Sequence, residues 1–198
     1  FDAVIATGSN NTARYLEYYF SKYPNIIRKN RNGVAVLHGD ENEETLLKIG
    51  SDISLFFGLG CRNISKVFLP QGTNPEFLLN CVKPYFEALN MHNKYMNNYS
   101  YQRSILLLNQ TFHLDNGVLI LTESESYSSP ISVVHYEFYD SVEKLKQKLY
   151  ADKELIQCIV SEQYTIENAV SPGNSQRPGL SDYADGIDTI NFLINLEK

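Results

Sequence analysis

The sequence predicts an α/β fold with a largely parallel sheet flanked by helices. Short, continuously apolar runs of strand length alternate with longer stretches of helical periodicity, the pattern of parallel strands joined by helical crossovers. The chain has 198 residues, 43% of them hydrophobic and 20% charged, which is ordinary for a globular protein with one substantial core.

The elements follow in order. Residues 2–6, Asp2-Ala3-Val4-Ile5-Ala6, read as a buried strand. Asn10 or Asn11 caps the next helix, which has Ala13, Leu16, Tyr19 and Phe20 on one face and ends at Tyr23-Pro24. Val34-Ala35-Val36-Leu37 is a second buried strand. Asp40 caps a helix through Leu46, Leu47, Ile49, Ile53, Leu55 and Phe56 that stops at Gly58, and the acidic run 40–44 is its capping and first-turn charge. Val67-Phe68-Leu69 is a strand ended by Pro70, and 77–89 is a helix kinked or broken at Pro84. Residues 103–108, 118–121, 131–138 and 155–161 read as strands; 142–149 and 187–196 read as helices. The tyrosine-rich stretch 90–102 and the Pro/Gly/Ser-rich stretch 171–178 read as loops.

Composition narrows the function. Net charge is -6, and the one basic cluster, Arg28-Lys29-Asn30-Arg31, reads as a solvated loop, so no phosphate-backbone stripe is present and no nucleic-acid partner is expected. The longest apolar runs are far short of a membrane span, and no cleavable signal is visible. Three unpatterned cysteines fit a reducing compartment, the cytoplasm, better than a disulfide framework. His38, His92, His113 and His135 are scattered singly, without metal-ligand spacing.

The cysteines differ in setting. A lone cysteine is commonly a small buried hydrophobe, and Cys81 and Cys158, each inside an apolar periodic run, read as core. Cys61 sits in Phe56-Phe57-Gly58-Leu59-Gly60-Cys61-Arg62-Asn63, two glycines past the end of a helical pattern. Small residues let a carbonyl approach the sulfur, and the bend sets the thiol at an element boundary, as a nucleophile requires. Upstream, an apolar strand runs into Thr7-Gly8-Ser9-Asn10-Asn11 and then a helix, whose free N–H groups and dipole favour anions. Arg62 and Asn63 read as candidates that support the thiol without touching substrate, with a surface charge for Arg62 and a cap of the next element for Asn63 as the alternatives.

These landmarks resemble the aldehyde dehydrogenase superfamily. Thr7-Gly8-Ser9 is similar to its cofactor-side turn; Gly58-Leu59-Gly60-Cys61, with Phe56-Phe57 before and Lys66 after, is similar to its catalytic cysteine box; Glu125-Ser126-Tyr127-Ser128-Ser129-Pro130-Ile131 is similar to its later Glu-x-Phe-Gly-Pro-Val turn, followed by an acidic helix at Asp140-Ser141-Val142-Glu143. Within the superfamily the chain most resembles the acyl-CoA reductases related to the fatty-acid reductase subunit of bacterial bioluminescence. The blocks Ala6-Thr7-Gly8-Ser9-Asn10-Asn11, Gly58-Leu59-Gly60-Cys61-Arg62-Asn63-Ile64-Ser65-Lys66 and Asp182-Tyr183-Ala184-Asp185-Gly186-Ile187-Asp188-Thr189 carry that resemblance.

The resemblance implies an aldehyde-dehydrogenase-like catalytic domain with Cys61 as the acylated nucleophile and Thr7, Gly8, Ser9 and Glu125 on the cofactor side. By its spacing to Pro130, the superfamily's ribose-binding glutamate would fall at Ser126, with Glu125 one position early. Residues 1–32 would be the end of the nucleotide-binding region, with most of that region absent, and 33–198 the catalytic domain with a C-terminal tail. The implied cofactor is NADPH or NADH, and the implied substrate a coenzyme A thioester. The oxyanion donors would be the Cys61 N–H and an asparagine from the cofactor domain, outside this chain. A homo-oligomer and an acyl-transfer partner protein both stay open.

Aldehyde-oxidising members carry a Glu-Leu-Gly-Gly turn whose glutamate activates water to hydrolyse the thioester. The corresponding stretch, Ile26-Ile27-Arg28-Lys29-Asn30-Arg31-Asn32-Gly33, has no carboxylate. That favours reduction of an acyl thioester to the aldehyde. A thiol-dependent acyltransferase and a non-catalytic subunit that keeps the fold are the competing readings.

Overall fold

The computed structural model describes residues 1–162 and 166–196. The chain divides into two compact units, Phe1–Arg31 with Pro178–Lys198, and Asn32–Arg177.

In the first unit, β1 (Val4–Thr7) leads into α1 (Asn10–Phe20) and returns parallel to itself as β2 (Asn25–Arg28). Ser9, rather than Asn10 or Asn11, is the N-cap of α1, its hydroxyl accepting the Thr12 N–H at 3.2 Å. β1 is only half-buried, not the buried strand expected. β2 was not foreseen, and it corrects the reading of the basic cluster as a solvated loop. Arg28 is a strand residue whose guanidinium donates to Thr189 Oγ1 at 2.9 Å and pairs with Asp185 at 3.7 Å, while Lys29 pairs with Glu17 at 2.7 Å. A short helix, Thr189–Ile194, capped by Asp188, lies within the expected 187–196.

The second unit is a six-stranded sheet in the order β5-β6-β7-β4-β3-β8, parallel apart from the β5 edge. Its strands are β3 (Asn32–Val36), β4 (Ile64–Pro70), β5 (Leu114–Asp115), β6 (Ile120–Glu123), β7 (Val133–Tyr139) and β8 (Ile156–Val160). Alternation along β3 divides the core. Ala35 and Leu37 join Ile49 and Ile53 of α2 (Glu43–Ser54) and Leu78, Cys81 and Val82. Val34 and Val36 face the other way, with Phe68, Tyr127 and the Leu145 and Leu149 side chains.

Several elements differ from expectation. Residues 77–89 are mostly a tight 3₁₀ segment, Pro75–Tyr85, followed by α3 (Phe86–Asn90), because Pro84 cannot donate an interior helical hydrogen bond. The expected loop 90–102 and strand 103–108 are one helix, α4 (Asn93–Leu108). His92 caps it through Nδ1, Tyr95 reaches the Val118 carbonyl at 2.9 Å, and Tyr99, one turn on, reaches Asp115 at 2.6 Å. Asn42 rather than Asp40 caps α2, accepting the Thr45 N–H at 2.9 Å. Helix α5 (Val142–Ala151) matches its expected position. Among the described residues no helix is long and apolar enough to cross a membrane.

Candidate active site

Cys61 is exposed, whereas Cys81 and Cys158 are buried. What presents it is a strained break after α2. Phe56, Phe57 and Gly58 take φ of 53°, 57° and 74°, left-handed values that two bulky aromatics adopt only when surrounding contacts compel them. The helix therefore cannot continue, and the chain turns through Leu59 and Gly60 to the thiol.

Asn63 supplies much of that compulsion. It is buried, its Oδ1 accepts the Gly60 N–H at 2.8 Å, and its Nδ2 donates to the Asp52 and Leu55 carbonyls at 2.8 and 2.9 Å. The side chain thus satisfies carbonyls orphaned at the end of α2 and fixes the turn before Cys61 in one stroke. It closes the preceding helix, not the next element as the sequence reading had it. Gly60 is required by the same closeness: a Cβ there would stand 2.9 Å from Asn63 Oδ1.

Arg62 is not a solvated surface charge. Its Nε donates to the Ser175 carbonyl and its Nη2 lies 3.5 Å from Cys158 Sγ. Asp52, fully buried on α2, accepts the Gly173 N–H at 2.7 Å, the Ser175 N–H at 3.1 Å and the Ser175 hydroxyl at 2.8 Å. Burial pushes its carboxyl above the ordinary range, against the lowering effect of the Ser175 and Gly173 hydrogen bonds. Asp52 and Arg62 together hold the Pro/Gly/Ser-rich loop against the thiol turn. Sequence reasoning missed Asp52; the available signal was a lone carboxylate between Ile49 and Ile53 on the apolar face of the helix.

The Glu125 turn is ordered by its backbone. Lys66 Nζ donates to the Glu125 carbonyl at 2.6 Å, His135 Nδ1 lies 3.0 Å from the Ser126 carbonyl, and Ser65 donates to the Tyr127 carbonyl at 2.7 Å. With these carbonyls turned inward, the Glu125 and Ser126 side chains are exposed. Lys66, the basic residue after the cysteine box, is wholly buried on β4, paired with Glu137 and lying 5.0 and 4.9 Å from the Phe68 and Tyr127 ring centroids. Burial lowers its ammonium, and Glu137 opposes that shift. A cavity of ≈ 30 Å³, water-sized, is lined from one side by Phe57 and Gly58 and from the other by Ser129 and Pro130, so the Cys61 turn and the Glu125 turn share a wall.

The remaining candidates, Thr7, Gly8 and Ser9, belong to the first unit. Thr7 and Ser9 are exposed, and Ser9 Oγ is engaged with Thr12, whose Oγ1 lies 3.0 Å away. A Cβ at Gly8 would stand 2.9 Å from Thr12 Cβ, so glycine is what lets the strand enter the helix here. Among the described residues no group of three or more His, Cys, Asp or Glu could hold a metal ion.

No protein-family model and no curated protein matches the chain. Solved structures do. Aldehyde dehydrogenase 21 of Physcomitrella patens, in complex with the reaction product succinate, superposes with a TM-score of 0.63 at 12% identity, over 94% of this chain and 48% of that one. An NAD-dependent aldehyde dehydrogenase of Sinorhizobium meliloti gives 0.60 at 10% identity, over 86% and 42%. The Mycobacterium tuberculosis aldehyde dehydrogenase complexed with NAD+ gives 0.57 at 12% identity, over 81% and 40%. The chain thus has the fold of an aldehyde dehydrogenase catalytic domain, an α/β domain with a mostly parallel sheet, and spans less than half the length of these structures.

Proposed function

We propose that this chain is the catalytic part of an NAD(P)H-dependent reductase that converts a fatty acyl-CoA, or another acyl thioester, to the aldehyde through an S-acyl intermediate on Cys61. The observation that carries the reading is the exposed Cys61 thiol on a left-handed turn held by Asn63, in a fold shared with aldehyde dehydrogenases. Phe56 and Leu59, 65% and 68% exposed, flank the thiol turn and suit an apolar acyl chain. The stretch 26–33, where a water-activating glutamate would be needed for hydrolysis, is occupied by β2 and the Asp185-paired Arg28.

The residues present fit part of a dinucleotide. The N–H groups of Asn10 and Asn11, in the first turn of α1, have no intrahelical acceptor and can donate to one phosphate beside Thr7, Gly8 and Ser9. Glu125, exposed in the second unit, stays a cofactor-side candidate on the resemblance alone. On this reading residues 1–32 are the margin of the nucleotide-binding region, and residues 33–198 are the catalytic domain with its C-terminal tail. A bound nicotinamide would supply the reducing equivalent.

The chain's own part is the acyl transfer. Cys61, its thiol proton given up to solvent, attacks the thioester carbon as the thiolate, the carbonyl π pair moves onto oxygen, and collapse expels the coenzyme A thiolate, which takes a proton from solvent and leaves the acyl group on Cys61. On this reading the Cys61 N–H donates to the developing oxyanion. The reading is tested by following NADPH oxidation on addition of acyl-CoA in the longest natural form of the protein and its Cys61→Ser variant. Acyl-CoA-dependent oxidation that the substitution abolishes supports it. Acylation of Cys61 without NADPH oxidation would indicate the acyltransferase instead, and neither would indicate the non-catalytic subunit.

A further inference from the structure

Gln176 follows directly on the clamped segment. Asp52 holds Gly173 and Ser175, and Arg62 holds the Ser175 carbonyl, so the position of the next residue is set by groups on both sides of the thiol turn. The Gln176 side chain consequently lies against Gly60: Nε2 and Oε1 each stand 3.6 Å from the point a Cβ on that glycine would occupy. A side chain at position 60 would crowd the amide, and glycine leaves the approach open. Gln176 Nε2 is shielded from solvent and has no hydrogen-bond partner among the described residues. A buried amide donor is costly to leave unpaired, and such a group next to a candidate nucleophile calls for an acceptor that arrives with the ligand. The orphaned atom is Nε2, the donor end of the amide.

We propose that the Gln176 amide is a catalytic oxyanion donor, acting with the Cys61 N–H on the carbonyl oxygen of the acyl thioester. It rests on the reading of Cys61 as the acyl acceptor. It departs from what the superfamily resemblance implies, namely that the second donor is an asparagine from the cofactor domain. When Cys61 sulfur, its proton released to solvent, bonds to the carbonyl carbon and the π pair moves to oxygen, the amide N–H donates to that oxygen. When the carbon–sulfur bond to coenzyme A breaks, the pair returns to the carbonyl and the leaving thiolate takes a proton from solvent.

The experiment compares two reactions of the same thiol in the full chain and in Gln176→Ala and Gln176→Glu. One is S-acylation of Cys61 by octanoyl-CoA, followed by mass spectrometry. The other is alkylation by iodoacetamide, a displacement at carbon that develops no carbonyl oxyanion. Removing an oxyanion donor slows acyl transfer by roughly 100- to 1,000-fold, so acylation falls by about that factor in both variants while alkylation is unchanged. Equal acylation rates in wild type and variants overturn the proposal, and so does a parallel fall in both reactions, which would mark a residue that only positions the loop. Gln176→Glu, close in shape, decides the matter if Gln176→Ala loses its fold. A wild-type chain that is alkylated yet never acylated at Cys61 defeats the acyl-acceptor reading itself; acylation that persists in the variants defeats only the assignment of Gln176.

Discussion

Asn63 Oδ1 accepts the Gly60 N–H at 2.8 Å, so the residue two positions after Cys61 fastens the residue just before it. Through Nδ2 the same side chain holds the end of α2. The thiol is therefore carried on a turn closed by one buried amide, and the local strain at Phe56 and Phe57 is sustained by that closure.

Asn63→Ala should destabilise the chain by about 2–4 kcal/mol, because it leaves the Gly60 N–H and the Asp52 and Leu55 carbonyls without their partner in the core. Urea denaturation gives the value. Asn63→Asp, which keeps the acceptor for Gly60 but turns a buried carboxylate oxygen onto the Asp52 and Leu55 carbonyls, should cost at least as much as alanine at neutral pH. A loss below about 0.5 kcal/mol, the range of ordinary surface substitutions, would mean the turn is held by something else.

In the native chain a disulfide reagent should titrate one thiol quickly and all three only after unfolding. Burial pushes the Cys81 thiol up to about 12, which suppresses the reactive thiolate, and Cys158 is 6% exposed. Cys81→Ala and Cys158→Ala should leave the fast phase intact and lower stability by about 1 kcal/mol. A fast phase that disappears with either would show the wrong thiol to be the accessible one.

Gly50→Ala should be far more damaging than its size suggests. A Cβ at Gly50 would lie 1.8 Å from the Cys81 carbonyl oxygen, where α2 crosses the Pro75–Tyr85 segment backbone to backbone. Neither backbone can yield as a flexible side chain would, so the cost should exceed about 3 kcal/mol. Thermal unfolding measures it, and a melting temperature close to wild type would refute the close approach.

The Lys66–Glu137–Lys148 cluster should give an acid limb to stability. Burial alone would raise the Glu137 carboxyl, but hydrogen bonds from Lys148 and Lys66 outweigh it and hold the group below its ordinary 4.5. A carboxyl lowered on folding contributes stability that is present above its unfolded value and lost as pH falls through the folded one. Stability should decline from about pH 4.5 downward, and Glu137→Gln should flatten that decline while costing about 3 kcal/mol at neutral pH, since Lys66 then keeps its buried charge without its carboxylate. Denaturation midpoints between pH 3 and 7 read both effects. An unaltered acid limb in Glu137→Gln would assign it to other carboxylates.

The thiol turn was legible in the sequence because glycines at 58 and 60 and an adjoining helical period are local signals. The alternation of short apolar runs with helices likewise gave the parallel sheet. Its supports were not legible in the same way. Asn63 and Arg62 stood out only as candidate supports beside the thiol, with a cap and a surface charge as alternatives, since what they hold, the end of α2 and Ser175, depends on tertiary closure. Helix α4 was misread because its first half is rich in Asn and Tyr, poor helix formers, and its end, Ile105-Leu106-Leu107-Leu108, is apolar enough for a strand. Tyr95 and Tyr99, one turn apart, decide it by burying their rings and placing their hydroxyls on Val118 and Asp115. β2 escaped because it is four residues long, between Pro24 and a basic run.

The central claim is that Cys61 takes the acyl group. The direct measurement is incubation of the protein with radiolabelled fatty acyl-CoA, denaturation, proteolysis and mapping of the label. The account predicts a hydroxylamine-labile label confined to the peptide holding Cys61 and absent from Cys61→Ala. Full labelling of Cys61→Ala, or label on the peptide of Cys81 or Cys158, would contradict it.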